Sequence, residues 1–240
     1  LSMSDESLVD KRLVRRSFER AAATYDAAAV LQHEVCARAL ERLDYIRLDP
    51  AAILDAGSGT GNALAGLAQR YPRARLIALD VAQAMLARGR SRVPAWKRLL
   101  GARRPHDAVC GDIERLPLAG GSVGLVWSNL ALQWVHDLRH SFAEMLRVLE
   151  PGGLLMFSTF GPDTLRELRA AYAGADRHTH VNRFVDMHDI GDMLVAAGFA
   201  DPVMDMEIFT LTYADVRELM RDLKAIGAHN VTQGRPGGLS

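Results

Sequence analysis

The chain has 240 residues, of which 49% are hydrophobic and 24% charged, and this balance is typical of a globular protein rather than a disordered one. Its 29 Lys and Arg residues are matched by 29 Asp and Glu residues, so a formal net charge of +0 gives no reason to expect a nucleic-acid partner or a membrane partner. The two cysteines lie far apart and no apolar run is long enough to span a bilayer, so we expect a cytoplasmic protein without a disulfide framework.

The first part of the chain has the composition of helices. Residues 8–48 are rich in Ala, Leu, Arg and Glu and contain neither Gly nor Pro. The sequence therefore predicts one or two helices ahead of the main fold.

After Pro50, short apolar runs alternate with amphipathic segments. The runs predicted to be buried strands are 51–54, 76–79, 108–110, 123–127 and 154–157. Strands that alternate with helices are typical of a Rossmann-like α/β fold, in which a doubly wound, mostly parallel sheet has helices on both faces. Two or three further helices and one candidate strand, 203–213, are predicted in the last part of the chain.

A glycine-rich loop follows the first predicted strand. Gly57, Gly59 and Gly61 alternate with small residues, which allows a sharp turn and the close approach of a ligand. The dinucleotide-binding pattern requires a glycine where this chain has Asn62, and the lysine of a phosphate-binding loop is absent. Because the carboxylate of Asp55 would repel a pyrophosphate but attract an ammonium group, the loop predicts a ligand with a cation nearby.

Polar side chains also follow the next three predicted strands. Asp80 is placed to accept hydrogen bonds from two ribose hydroxyls, and Asp112 to accept from an adenine amino group that Ile113 would cover. Asn129 ends the fourth strand. Helix capping is the alternative explanation for Asp80 and Asp112 when each is considered alone. The order of all four strand ends favours a nucleoside site.

These motifs together resemble those of class I S-adenosylmethionine-dependent methyltransferases, and the resemblance covers residues 51–159. It implies that Asp55 and the glycine loop hold the methionine part of S-adenosylmethionine, that Asp80 holds the ribose, and that Asp112 and Ile113 hold the adenine. S-Adenosyl-L-homocysteine is then the product.

Segments outside these motifs point to a narrower family. Residues 18–26, 128–134, 180–184 and 223–228 are similar to the malonyl-acyl-carrier-protein O-methyltransferases of biotin synthesis. That resemblance implies methylation of the free carboxylate of a malonyl thioester. Two alternatives remain open: a methyltransferase that acts on another small carboxylic acid, and a methyltransferase-like respiratory complex assembly factor that hydroxylates an arginine.

The resemblance also implies how the chain is organised. We expect a single methyltransferase domain over residues 1–240, with an N-terminal helical lid at 8–48 and a cofactor-binding core at 51–160. Residues 161–240 are expected to supply substrate-side helices and a C-terminal strand that is incomplete, because the family usually continues beyond this segment.

The chemistry of the acceptor limits what the catalytic residues must do. A carboxylate with a pKa near ~4 is already ionised at neutral pH, so it needs no general base. Tyr25 and Trp134 are candidates to attract the sulfonium by cation–π contact, whereas Phe18 is expected to be a packing residue. Arg183, with His180 beside it, is a candidate to orient the malonyl carboxylate, and a surface salt bridge is the alternative for Arg183.

One stretch of the neutral chain is strongly basic. Between Asp80 and Asp107 there are no acidic residues, and the basic residues are Arg88, Arg90, Arg92, Lys97, Arg98, Arg103 and Arg104. The stretch 88–104 is a candidate docking site for an acidic acyl-carrier protein, and a solvated basic loop is the alternative. The histidine pairs lack further ligands at metal-binding spacing, so no metal site is predicted.

Overall fold

The computed structural model describes residues 9–91, 106–173 and 184–227. Five strands form one sheet: β1 (Ala52–Ala56), β2 (Arg75–Asp80), β3 (Asp107–Cys110), β4 (Val123–Asn129) and β5 (Leu149–Ser158). Their order is β3-β2-β1-β4-β5, and every neighbouring pair is parallel. The five predicted strands and the doubly wound α/β fold are therefore confirmed.

Helices precede, connect and follow the strands. They are α1 (Lys11–Ala21), α2 (Tyr25–Ala28), α3 (Val30–Arg42), α4 (Leu64–Arg70), α5 (Gln83–Ser91), α6 (Leu138–Val148), α7 (Arg166–Ala173), α8 (Met187–Ala197) and α9 (Val216–Ala225). The prediction of one or two N-terminal helices was wrong, since α1, α2 and α3 are separate. Ala29, with ψ of 42°, leaves the helical conformation between α2 and α3, and it is fully buried at this bend.

The two faces of the sheet are covered by different helices. In β1, Ile53 packs with the core that α3 and α4 cover, and Leu54 packs with the core that α6 and α8 cover. Successive residues of a strand point to opposite faces, so a strand covered on both sides is apolar throughout. On the α6 side, Phe142 and Met145 are fully buried, as the helical spacing of the apolar residues predicts.

The candidate strand at 203–213 is wrong, because this segment forms no strand in the part of the chain that the structure describes. Val203 is 92% exposed and Ile208 is 80% exposed. An apolar, β-branched composition favours a strand only where there is a face to pack against. The segment is instead attached to α3 by charged contacts, in which Arg42 pairs with Asp205 and Glu207.

The topology positions the site. β1 lies at the centre of the sheet between β2 and β4. The chain adds β2 and β3 on one side of β1 and then crosses over to add β4 and β5 on the other side. Ligands of open α/β sheets bind at this switch point, outside the carboxyl ends of the strands. Among the described helices, none is both long enough and apolar enough to cross a bilayer.

Candidate active site

The glycine loop turns directly against the end of β2. The backbone N–H groups of Gly57 and Ser58 donate to the carbonyl oxygen of Leu79, at 2.8 and 2.9 Å. Gly57 has φ of 78°, and a Cβ atom there would overlap the side chain of Ala131. Only glycine satisfies both the left-handed backbone and the close packing at this position.

The side-chain carboxylate of Asp80 also holds the glycine loop in place. Its Oδ2 accepts the N–H of Gly59 at 2.8 Å, and its Oδ1 accepts the N–H of Ala82 at 2.8 Å. Burial raises the pKa of Asp80 to about 6, although these backbone hydrogen bonds oppose the rise. Each carboxylate oxygen has a second lone pair, so Asp80 retains the capacity to accept from ligand hydroxyls.

Asp55 is a buried polar group of the site that is not fully hydrogen-bonded. It is 3% exposed, and its Oδ2 has no hydrogen-bond partner among the described residues. Burial, and next the negative charge of Asp80, raise the pKa of Asp55 to about 8. A buried carboxylate without a partner is unfavourable unless a cation or a donor pairs with it. The ammonium group of the methionine part of S-adenosylmethionine fits this requirement, so Asp55 would hold it and Asp80 would hold the ribose.

At the end of β3, Asp112 has a partner that the sequence did not suggest. Its Oδ2 lies 2.7 Å from Nζ of Lys11, which also pairs with the buried Glu114. Its Oδ1 accepts the N–H of Glu114 at 3.0 Å. Ile113 lines the same cleft and lies next to Gly57. Asp112 and Ile113 are therefore at the expected edge of the site, and Lys11 covers the carboxylate.

Asn129 lines the cleft and also joins three elements behind it. Its Nδ2 donates to the carbonyl oxygen of Gln32 on α3 at 3.0 Å, and its Oδ1 accepts from Oγ of Ser158 on β5 at 2.9 Å. These hydrogen bonds hold the end of β4 in place, so the side chain positions the wall of the cleft.

Three aromatic side chains form a continuous wall. The ring of Phe18 meets the ring of Trp134 edge-on at 5.5 Å and that of Tyr25 at 6.5 Å. All three line the cleft together with Gly59 and Asp80. The structure thus places Tyr25 and Trp134 in the wall of the cleft, and Phe18 packs between them while it also faces the cleft. Burial raises the pKa of Tyr25, so its phenol stays protonated at neutral pH.

The helices α1 and α2 are attached to the rim of the cleft by polar contacts. The carboxylate of Glu19 accepts the N–H groups of Gln83 and Ala84, at 2.8 and 3.0 Å, and so caps the start of α5. Oγ1 of Thr60, in the glycine loop, donates to Oδ1 of Asp26 at 2.5 Å. Asp26 therefore ties α2 to the loop itself.

Two of the predicted catalytic residues, Arg183 and His180, lie outside the described residues, as does most of the basic stretch 88–104. Within the described ranges, no group of three or more His, Cys, Asp or Glu side chains is arranged to hold a metal ion.

Lys11, Glu19 and Asp26, which attach the first two helices to the site, were not predicted from the sequence. Glu19 and Asp26 lie within a segment, 18–26, that resembles the narrower family, which was a signal that the segment carries more than helix composition. For Lys11 there was no local signal, because its partner Asp112 is 101 positions away.

Comparisons with known proteins identify the family of the chain. A methyltransferase domain family matches residues 54–157, which contain the glycine loop and the ends of the first four strands. The malonyl-(acyl-carrier protein) O-methyltransferase of Gallionella capsiferriformans is 60% identical over 98% of this chain and 81% of its own length. The enzyme of the same name from Nitrosospira multiformis is 57% identical over 98% of this chain and 80% of its own length.

Solved structures agree on the fold. A Haloferax volcanii methyltransferase in complex with an activator protein has a TM-score of 0.63 at 18% identity, covering 94% of this chain and 96% of that one. An S-adenosylmethionine-dependent methyltransferase of Thermotoga maritima has a TM-score of 0.57 at 19% identity, covering 78% of this chain and 82% of that one. With the relatives above, these similarities show that the chain belongs to the malonyl-(acyl-carrier protein) O-methyltransferase family, whose fold is that of the class I S-adenosylmethionine-dependent methyltransferases.

Proposed function

We propose that this chain methylates the free carboxylate of a malonyl group carried as a thioester on an acyl-carrier protein, as a step of biotin synthesis in the cytoplasm. The observation that carries the proposal is the 60% identity, over 98% of the chain, to a relative named malonyl-(acyl-carrier protein) O-methyltransferase. The unpartnered carboxylate of Asp55 beneath the glycine loop supports it, because that group fits the ammonium of the methyl donor.

The chain's own residues would bind and orient the reactants. S-Adenosylmethionine supplies an electrophilic methyl group when it is bound. Asp55 would hold its ammonium group, Asp80 its ribose, and Asp112 and Ile113 its adenine. The aromatic wall lies beside this proposed cofactor site. There, an aromatic ring would attract the sulfonium cation by about 0.5–2 kcal/mol.

No proton has to be removed from the acceptor, since a malonyl carboxylate is ionised at neutral pH. The protonated phenol of Tyr25 is consistent with this, because it is not available as a general base. The catalytic effect of the chain is then alignment of two bound reactants, which contributes roughly 7–11 kcal/mol in well-oriented systems.

Arg183, with His180 nearby, is proposed to orient the malonyl carboxylate. A tight bidentate ion pair would lower the nucleophilicity of that carboxylate, so a single hydrogen bond from the guanidinium suits the role. This assignment rests on the resemblance of residues 180–184 to the family.

The chain is proposed to act as a single methyltransferase domain with an N-terminal lid at 8–48, a core at 51–160 and substrate-side helices from 161 onward. The cleft beneath α1 and α2 encloses about 90 Å³. A typical ligand pocket measures ~300–1,000 Å³, so these helices would have to move outward for the methyl donor to enter. The lid is held by the pairs that Lys11 and Asp26 make.

The acidic carrier protein is proposed to dock on the basic stretch 88–104. Of this stretch, the structure describes residues 88–91, in which Arg88 and Arg90 are exposed on α5. Reversing Arg103 and Arg104 to Glu should weaken the use of a carrier-bound substrate more than that of a coenzyme A analogue, and an equal effect on both would contradict the assignment.

The test of the function uses S-adenosylmethionine with a labelled methyl group. Three acceptors are compared: malonyl-carrier protein, malonyl-coenzyme A, and a carrier loaded with an uncharged acyl group. Base-labile label on the malonyl acceptors alone would support carboxyl methylation. The Asp55→Asn variant should lose the label, whereas Asp49→Asn, which changes an exposed carboxylate far from the site, should keep it. Label on none of the acceptors would contradict the proposal.

A further inference from the structure

The outer face of α1 carries a line of arginines. Arg12, Arg16 and Arg20 follow one another at intervals of four residues, so they lie on one side of the helix, and all three are exposed. We call this set the basic stripe. From Arg12 to Arg20 it extends about 12 Å along the axis of α1.

Carboxylates in the described part of the chain do not pair with the basic stripe. Across residues 9–91, 106–173 and 184–227, no carboxylate lies within ion-pair distance of Arg12, Arg16 or Arg20. Arg15, on the flank of the stripe, lies 3.8 Å from Glu19, whose carboxylate is already held by the start of α5. In a chain of net charge +0, three neighbouring arginines that pair with no carboxylate of the described residues form a local positive surface.

The opposite face of the same helix forms part of the cofactor cleft. Lys11, Val14 and Phe18 all line it. The basic stripe is therefore separated from the reaction site by the diameter of one helix, about 10–12 Å. A partner bound on the stripe would sit at the rim of the cleft, within reach of a flexible thioester arm.

Two further features suit a protein partner. Leu13, which lies beside the stripe, is 40% exposed and offers an apolar contact among the charges. The helix α1 packs against α5, which carries the exposed Arg90 and the exposed Arg88, so further basic residues lie on the neighbouring helix, although Arg88 is 3.8 Å from Asp26. A nucleic acid is less well suited, since the aromatic rings of this region face the cleft and are not exposed for base stacking.

We infer that the basic stripe on α1 is a docking surface for the acidic face of the carrier protein that brings the malonyl thioester. This inference rests on the proposed function. It adds residues of α1 to the basic stretch 88–104 as candidates for carrier docking and gives a reason for the basic character of this helix. Because charge complementarity mainly sets the rate and register of encounter, its loss should raise the KM for the carrier and leave the chemical step unchanged.

The test reverses charge on the stripe. The double variant Arg16→Glu/Arg20→Glu is compared with Arg47→Glu/Arg73→Glu, which reverses two exposed arginines that precede β1 and β2 at the other edge of the sheet. Each is assayed with malonyl-carrier protein and with malonyl-pantetheine, which has the thioester arm but no carrier. For the stripe variant we expect at least a tenfold rise in KM for the carrier, with kcat/KM for malonyl-pantetheine unchanged. The control should match the parent chain on both.

A second double variant, Arg16→Gln/Arg20→Gln, removes the two charges without reversing them and is therefore less disruptive to folding. It should also raise the KM for malonyl-carrier protein. A stripe variant that matches the control with the carrier would overturn the inference, as would an equal loss on both substrates. The inference would also be overturned if the stripe variant lost binding to RNA or to anionic vesicles while its KM and kcat with malonyl-carrier protein stayed unchanged. If the parent chain methylates neither substrate, the proposed function fails; carrier docking is then judged by the affinity of the unloaded carrier for the parent chain and the stripe variant.

Discussion

The ammonium group of Lys11 lies 2.7 Å from the carboxylate of Asp112, although 101 positions of the chain separate them. The first helix and the end of β3 are thereby joined across the mouth of the cleft. Any outward movement of α1 has to separate this pair and the pair between Lys11 and Glu114. Access to the site and the strength of these ion pairs are therefore linked.

We expect Lys11→Met to loosen α1. The pair with Asp112 is partly exposed and contributes little alone, but the variant also leaves the buried Glu114 without a cation, so the free energy of opening should fall by about 1 kcal/mol. Hydrogen exchange of the amides in α1 should quicken severalfold. Arg12→Met, which removes a neighbouring charge that has no ion-pair partner in the described residues, is the control. Unchanged exchange in Lys11→Met would show that the ion pairs do not hold the helix.

Cofactor affinity should depend on pH through Asp55. Its pKa of about 8 means that the carboxyl is mostly protonated at pH 7, whereas pairing with an ammonium group requires the ionised form. Binding should then release a proton, and affinity for S-adenosylhomocysteine should rise up to tenfold per unit between pH 6 and pH 8. Calorimetry in two buffers of different ionisation enthalpy measures that proton. The Asp55→Asn variant should bind S-adenosylhomocysteine more weakly at every pH, and its affinity should not change with pH in this way. If the affinity of the variant rises with pH as steeply as that of the parent chain, a group other than Asp55 causes the pH dependence.

A methyl group at Gly57 should be far more harmful than one at Gly152. Both residues have positive φ, 78° and 80°, so alanine meets a similar backbone penalty of about 1–2 kcal/mol at either position. Only at Gly57 would the added Cβ also overlap a side chain, that of Ala131, because the space around Gly152 is open. Chemical denaturation and cofactor titration of the two variants separate these effects. We expect Gly152→Ala to bind normally and Gly57→Ala to lose binding; equal losses would remove the packing argument.

The ring of Tyr25 should matter more than its hydroxyl. Tyr25→Phe keeps the contact with Phe18 and should retain most of kcat, whereas Tyr25→Leu should lower kcat by roughly 2- to 30-fold, as the loss of one cation–π contact of 0.5–2 kcal/mol implies. Steady-state kinetics at saturating cofactor measure the difference. A Phe variant as impaired as the Leu variant would mean that the hydroxyl, and not the ring, is required.

Arg183→Ala should abolish most methyl transfer and leave cofactor affinity intact, because the guanidinium is proposed to contact the acceptor alone. Arg183→Lys should restore part of the activity, since a lysine can still supply one charged hydrogen bond. The readouts are methyl transfer to malonyl-carrier protein and the dissociation constant of S-adenosylhomocysteine. Parental activity in the alanine variant would remove Arg183 from the site.

The parts of the site that could be predicted are those encoded locally. The glycine loop and Asp55 form one short motif. Asp80 and Asn129 end strands, and Asp112 follows one by two residues; the apolar runs of these strands are plain in the sequence. Lys11 could not be predicted, because its role comes from a contact between distant segments. The segment 203–213 was wrongly predicted to be a strand because its local composition is that of a strand. Whether such a segment forms a strand depends on tertiary neighbours that it can pair with and pack against, and the local sequence does not show them.

The unpartnered carboxylate of Asp55 has a consequence for the lifetime of the enzyme. A carboxyl whose pKa is raised by folding stabilises the folded chain least at high pH: its contribution is lost as pH rises from the unfolded value of ~3.9 toward about 8. At the pH of a cell, the free enzyme has already lost part of the contribution of Asp55 to the free energy of unfolding. A bound ammonium group would restore it by pairing with the ionised carboxylate. The methyl donor would thus act as a counterion that completes the fold, and the amount of intact enzyme would follow the supply of the molecule that it consumes.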